Sequence, residues 1–206
     1  QEWFDFRQRI VNYAKNNEDK INYPLEHVDL QFIPSHCDGS SFQIIRNALP
    51  SNTGNILVLG AHWGYFCKKL ENLGFRCVAV EDNPIDRYFL KKFKKMESNR
   101  FTIIEDYAEI SSNDLFLNSD IVLALDILHK FWVDPNRIRK LGKMLKRTKA
   151  KSLFFQHALT KRRFNLINKE VCSDEIINFV IDNSHFTKYE EIGKSSEGVP
   201  IWKLEV

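Results

Sequence analysis

The stretch Ile56-Leu57-Val58-Leu59-Gly60-Ala61-His62-Trp63-Gly64 decides the fold class. A short continuous apolar run reads as a strand buried on both faces, and the loop after it opens a helical pattern from Tyr65 to Leu73, closed by Gly74. The same rhythm recurs downstream. Cys77-Val78-Ala79-Val80 ends on Glu81-Asp82-Asn83-Pro84 and is followed by a helix near Ile85 to Met96, while Phe101-Thr102-Ile103-Ile104 ends on Glu105-Asp106. Asp120 leads Ile121-Val122-Leu123-Ala124-Leu125, ending on Asp126, and Ser152-Leu153-Phe154-Phe155 ends on Gln156-His157 after a basic helix. Apolar strands alternating with helices predict an α/β fold with a doubly wound, mostly parallel sheet.

The two ends break this alternation. A helix from about Ser173 to Asn183 precedes two strands, Phe186 to Ile192 and Val199 to Val206, joined by a short polar turn. They predict a hairpin, so one of them runs antiparallel to the sheet. At the other end Trp3, Phe6, Ile10 and Tyr13 have helical spacing, and an irregular segment from Tyr23-Pro24 to Ile33-Pro34 reads as a lid or cap. A short helix from Ser41 to Ala48 follows, with Asp38 or Ser40 as its cap.

A chain of 206 residues, 43% apolar and 13% aromatic, corresponds to one globular domain at roughly 150 residues per domain. The expected organisation is a single domain over residues 1–206, with a cap over 1–40 and the core over 41–206. No apolar run approaches the ~18 residues of a membrane span, and no signal-peptide pattern precedes the first helix, so a cytoplasmic protein without an integral membrane segment is expected. Cys37, Cys67, Cys77 and Cys172 form no CxxC pair, which argues against a zinc site and for reduced, mostly buried thiols. Lys and Arg number 30 against 27 Asp and Glu, but eleven of the basic residues lie between Arg137 and Arg163 with no acid among them. That block is either a steering surface for anionic groups or the solvated face of a helix.

In an open parallel sheet ligands bind beyond the carboxyl ends of the strands, where the strand order reverses. Gly60 and Gly64 then serve either as turn glycines or to let the backbone approach a ligand, with helix amides presented beyond them. Glu81, 21 residues after Gly60, stands where a carboxylate accepts ribose hydroxyls. His62 and Trp63 either line that loop or pack against the cap.

Four segments, in order, resemble the class I (Rossmann-like) S-adenosylmethionine-dependent methyltransferases. The strand and loop through Gly60, Ala61, His62, Gly64, Tyr65 and Phe66 look like the first motif, G-x-G-x-G, and Val78 to Pro84 like the second, with Glu81 as ribose clamp and Asp82 beside it. Ile104-Glu105-Asp106-Tyr107-Ala108-Glu109 resembles the third, whose Asp faces the adenine amino group, and Ser119 to His129 the fourth-strand signature, with Leu125 at the cofactor. The antiparallel last strand fits as well. Two positions depart from the pattern: Val58 stands where an acid is usual, and His62 replaces the middle glycine.

The resemblance implies methyl transfer from S-adenosylmethionine, with S-adenosylhomocysteine as product, by in-line displacement at an already activated sulfonium. The protein then contributes alignment and deprotonation. His129, after the fourth strand, is the candidate base, or a structural histidine, and Asp126 orients the substrate or binds a cation. Asp126, Gln156 and His157 imitate a metal site, but hard divalent ions prefer more carboxylates, so no metal is expected. No Asn-Pro-Pro-Tyr and no Pro-Cys is present, which leaves an oxygen or nitrogen on a small-molecule, sugar or lipid-linked acceptor. The cap and Leu159 to Cys172 would shape that site, and Lys161-Arg162-Arg163 suits a phosphorylated or carboxylated acceptor. RNA bound through Arg137 to Arg163 is the alternative partner. A catalytically inactive binding or scaffold domain is consistent with Val58. A nicotinamide dehydrogenase would need glycine at positions 62 and 65, where His62 and Tyr65 stand.

Overall fold

The computed structural model describes residues 2–107, 118–157 and 171–206. A seven-stranded sheet has the order β3-β2-β1-β4-β5-β7-β6, from β1 (Asn55–Leu59), β2 (Arg76–Val80), β3 (Thr102–Ile104), β4 (Ile121–Leu125), β5 (Ser152–Gln156), β6 (Lys188–Lys194) and β7 (Pro200–Glu205). The first five strands pair in parallel. β7 lies antiparallel between β5 and β6, which is the expected hairpin, with the later strand inserted next to the parallel set. Strand order reverses between β1 and β4, so the crevice of this fold opens beyond Leu59 and Leu125.

Six helices are described: α1 (Glu2–Lys15), α2 (Ser40–Ala48), α3 (Tyr65–Asn72), α4 (Pro84–Met96), α5 (Pro135–Arg147) and α6 (Ser173–Asp182). Their starts follow from local chemistry. Asn83 Oδ1 accepts the amides of Ile85 and Asp86 ahead of α4, and Asp134 Oδ1 accepts that of Asn136 ahead of α5, with proline at the first helical position in both. For α2 the cap is Gly39, in the left-handed region at φ 85°, rather than Asp38 or Ser40. Asp38 still contributes, because its carboxylate accepts the Ser40 amide at 2.8 Å.

Alternation along β1 sends Leu57 and Leu59 to one face and Ile56 and Val58 to the other. The first face packs under Leu141, Met144 and Leu145 of α5 and Ile176, Ile177 and Val180 of α6. The second packs under Ile45 of α2, Phe66 and Leu70 of α3 and Leu90 of α4. Val58, 4% exposed, therefore has apolar partners where the resemblance leads one to look for an acid. A third cluster seats the cap: Phe6, Ile10 and Ala14 of α1 meet Trp63, Phe89 and Phe93. All four cysteines are free thiols, but only Cys67 and Cys77 are buried; Cys172 is exposed. Burial pushes the Cys77 thiol up to about 12. Among the described residues no helix is long and apolar enough to cross a membrane.

Candidate functional site

The loop after β1 takes its shape from three left-handed backbone positions, Gly60 at φ 66°, His62 at φ 51° and Gly64 at φ 90°. Both glycines are also required by packing. A Cβ at Gly60 would lie 2.8 Å from the Ile127 side chain, and one at Gly64 2.9 Å from Leu90 Cδ1. Those faces meet protein, and the Gly64 amide donates to the Ala61 carbonyl at 2.9 Å. The Ala61 amide donates to the Val80 carbonyl at 2.9 Å, which fixes the loop over the end of β2.

Glu81 closes that end. Its side chain is 6% exposed, Oε2 accepts the His62 amide at 2.8 Å and Oε1 accepts the Asn83 amide at 2.9 Å. Burial raises the carboxyl above the usual carboxylate range against the pull of those two amides. A carboxylate has about four acceptor positions, so two remain for hydroxyls at the rim. Asp82 follows, half-buried, and Arg87 donates to its carbonyl and to that of Glu105, joining the ends of β2 and β3.

Asp106 is exposed just beyond β3. Tyr107 packs against Phe131 with ring centroids 5.1 Å apart. Its hydroxyl is buried beside the Gly60 backbone and finds no well-formed hydrogen bond among the described residues. Burial holds that phenol well above its ordinary value.

At the end of β4, Leu125 is 8% exposed and Asp126 stands at φ 55°, its amide donating to the Gln156 carbonyl at 2.8 Å. Asp126 Oδ1 lies 3.8 Å from His129 Nδ1, and the His129 and His157 rings meet at 5.2 Å and 77°. His129 is 2% exposed. Burial, then the nearby His157 and Lys130, lower its pKa to about 4; burial also lowers that of His157, against a backbone bond to Val171. Burial therefore favours the neutral form of both imidazoles. Among the described residues no cluster of three or more ligating side chains forms a metal site.

Gly60, Ala61, His62, Gly64, Glu81, Asp82, Tyr107, Leu125, Asp126 and His129 thus lie at or beyond the carboxyl ends of β1 to β4. Tyr65 turns elsewhere, stacking on Tyr23 of the cap at 4.9 Å and 12°. A cleft of about 40 Å³ lies between that cap segment and the loop, lined by Tyr23, Glu26, His62, Trp63 and Lys68 among others. Its charges are paired, Glu26 with Lys68 and Lys69 at 2.9 Å each. The motif reading passed over Asp86. Its Oδ1 lies 3.2 Å from His62 Nε2 and accepts from Trp63 Nε1 at 3.1 Å and from the Tyr13 hydroxyl at 3.3 Å. Although burial opposes it, these bonds hold the Asp86 carboxyl below its usual range. Its position three residues past the helix cap Asn83 carries no signal that would have revealed this. Residues 161–163, expected to shape the acceptor site, lie outside the described residues, as do Ala108, Glu109 and residues 159–170.

No family model and no curated protein matches the chain. Solved structures do. The bifunctional kinase-methyltransferase WbdD superposes with a TM-score of 0.69 at 14% identity over 95% of this chain and 46% of its own. The methyltransferase domain of bacterial CtHen1 gives 0.62 at 13% identity over 82% of this chain and 98% of its own. This chain thus spans under half the length of the WbdD chain. At such identities the likeness concerns the fold alone, and with the sheet order, the antiparallel β7 and the loop after β1 it places the chain in the class I, Rossmann-like methyltransferase fold.

Proposed function

We propose that the chain is an S-adenosylmethionine-dependent methyltransferase that modifies an oxygen or nitrogen of a small, anionic acceptor, such as a phosphorylated or carboxylated sugar or lipid-linked precursor. The observation that carries this reading is the buried Glu81 carboxylate at the end of β2, clamped by the His62 and Asn83 amides one strand from the switch point of the sheet. Glu81 would hold the ribose hydroxyls, Asp106 the adenine amino group, and the Gly60 to Gly64 loop the amino-acid end. The Tyr107 hydroxyl would complete the polar contacts. When bound, the cofactor supplies an electrophilic methyl group on a sulfonium.

The chain's own residues then align the acceptor and take up its proton. Burial holds His129 in the neutral form, able to accept a proton but weakly basic, which suits an acceptor that is itself readily deprotonated. Asp126, 3.8 Å away, would stabilise the imidazolium that forms. Lys130, next to His129 in the chain, and the basic run that opens with Arg137 support an anionic acceptor.

One observation favours RNA as a second reading. Arg137, Arg139, Lys140, Lys143, Lys146 and Arg147 are exposed along α5, a run that starts near Tyr107 and would follow phosphates. The test is transfer of labelled methyl from S-adenosylmethionine to pooled phosphorylated and carboxylated small molecules, with RNA in parallel. Label in the small-molecule pool, lost with Glu81→Ala, supports the first reading; label in RNA alone supports the second. No transfer to either, with cofactor binding intact, would overturn both acceptor assignments.

A further inference from the structure

The middle of the loop holds a residue in a conformation that its side chain opposes. His62 sits at φ 51°, in the left-handed region that a residue with a Cβ disfavours. The methyltransferase motif places glycine there. In this chain the conformation is held from outside. The His62 imidazole lies 3.2 Å from Asp86 Oδ1 on α4 and 3.5 Å from the Tyr13 hydroxyl on α1. It also stacks on Trp63 at 5.2 Å and 15°. Trp63 and Tyr13 both donate to the same Asp86 oxygen. The His62 and Asp86 side chains are only 14% and 17% exposed, so these bonds are shielded from competing water.

We propose that helix α1 is a structural part of the cofactor loop: through Tyr13 and Asp86 it holds His62 in the left-handed conformation that glycine supplies in related loops. This rests on reading that loop as the cofactor site. The connection continues inward, because the His62 amide donates to Glu81 Oε2 at 2.8 Å. Rotation of the His62 backbone would therefore release the carboxylate assigned to the ribose. The helix is seated for this task, with Phe6, Ile10 and Ala14 buried against Trp63, Phe89 and Phe93. On this account the first helix is a clamp fixed to the loop, and His62, Asp86 and Tyr13 are positioning residues that touch no reacting atom.

The decisive experiment is a rescue. S-adenosylhomocysteine is titrated by calorimetry into the wild type, Asp86→Asn, His62→Gly and the double variant, with urea unfolding of all four. Freeing the strained residue should weaken binding about tenfold in Asp86→Asn, given the cost of the left-handed conformation. Glycine needs no clamp, so the double variant should recover to within about twofold of His62→Gly. Tyr13→Phe keeps the ring packing and should weaken binding by about threefold, again relieved by His62→Gly. If the double variant binds as weakly as Asp86→Asn, or more weakly, the clamp is refuted. If the wild type binds no S-adenosylhomocysteine, the cofactor reading falls separately and unfolding decides. Stability lost in Asp86→Asn and regained with His62→Gly upholds the clamp, whereas additive losses overturn it.

Discussion

The backbone amide of His62 donates to Glu81 Oε2 at 2.8 Å, joining the loop after β1 to the carboxylate that ends β2. This bond makes the two motifs one unit, with the carboxylate oriented by the loop and the loop anchored by the carboxylate. Glu81→Gln keeps the shape but replaces one acceptor oxygen with an NH₂ group facing a backbone amide. Hydrogen bonds to charged groups contribute about 1.5–3 kcal/mol each. The variant should remain folded, lose about 1–3 kcal/mol of stability, and bind cofactor at least tenfold more weakly. Urea unfolding with calorimetry checks both; unchanged affinity would remove Glu81 from the site.

His129 sets an acid limit on stability. Its pKa is about 4 in the folded chain against an ordinary 6.5, so between these values the unfolded chain binds more protons. The stabilisation is complete above pH 6.5 and is lost as the pH falls toward 4, by about 2 kcal/mol at pH 5. His157, also lowered, adds in the same direction. Urea unfolding at pH 7.5 and pH 5 should show this loss, and His129→Gln should reduce the difference. An unchanged pH dependence in His129→Gln would mean that the imidazole is not held neutral by burial.

Gly60 should resist substitution for two separable reasons. Gly60→Ala must adopt φ 66° and also place a Cβ 2.8 Å from Ile127, for a combined cost of about 2–4 kcal/mol. Gly198, at φ 78° with nothing within 4 Å of its missing Cβ, isolates the backbone part at about 1–2 kcal/mol. Equal losses in the two variants would show that Ile127 does not pack against the loop as described.

The exposed basic face of α5 separates the two acceptor readings. Reversing Arg139, Lys143 and Lys146 to Glu should leave the unfolding midpoint nearly unchanged, since surface substitutions are usually within about 0.5 kcal/mol each. If RNA is the acceptor, the same change weakens RNA binding and flattens its salt dependence. On the small-acceptor reading, RNA affinity is low at 150 mM salt, a condition of about 8 Å screening length, and methyl transfer is unaffected.

Much of the fold was legible because its signals are local. Ile56 to Leu59 and Ile121 to Leu125 are continuous apolar runs, and runs of that kind occur where a strand is covered on both faces. The hairpin followed from two strands joined by a short polar turn. The position of Glu81 was readable for the same reason, since the end of a strand is marked by where its apolar run stops. The clamp on His62 was not. Tyr13 and Asp86 stand 49 and 24 positions from it in the chain, counted from the numbering, and neither residue type signals its partner. Left-handed φ at a histidine leaves no sequence trace either. Val58 read as a departure from a motif, while the structure shows it completing an apolar face whose other members, among them Phe66 of α3 and Ile121 and Leu123 of β4, come from other elements.

The central claim is that the loop after β1 and the neighbouring end of β2 form a cofactor site in which Glu81 holds the ribose. Calorimetric titration of the wild type and Glu81→Ala with S-adenosylhomocysteine tests it most directly. The account predicts one-to-one binding at micromolar affinity in the wild type and none detectable in Glu81→Ala at the same concentrations, with both proteins folded. Absence of binding in the wild type, or equal binding in the two, would contradict it.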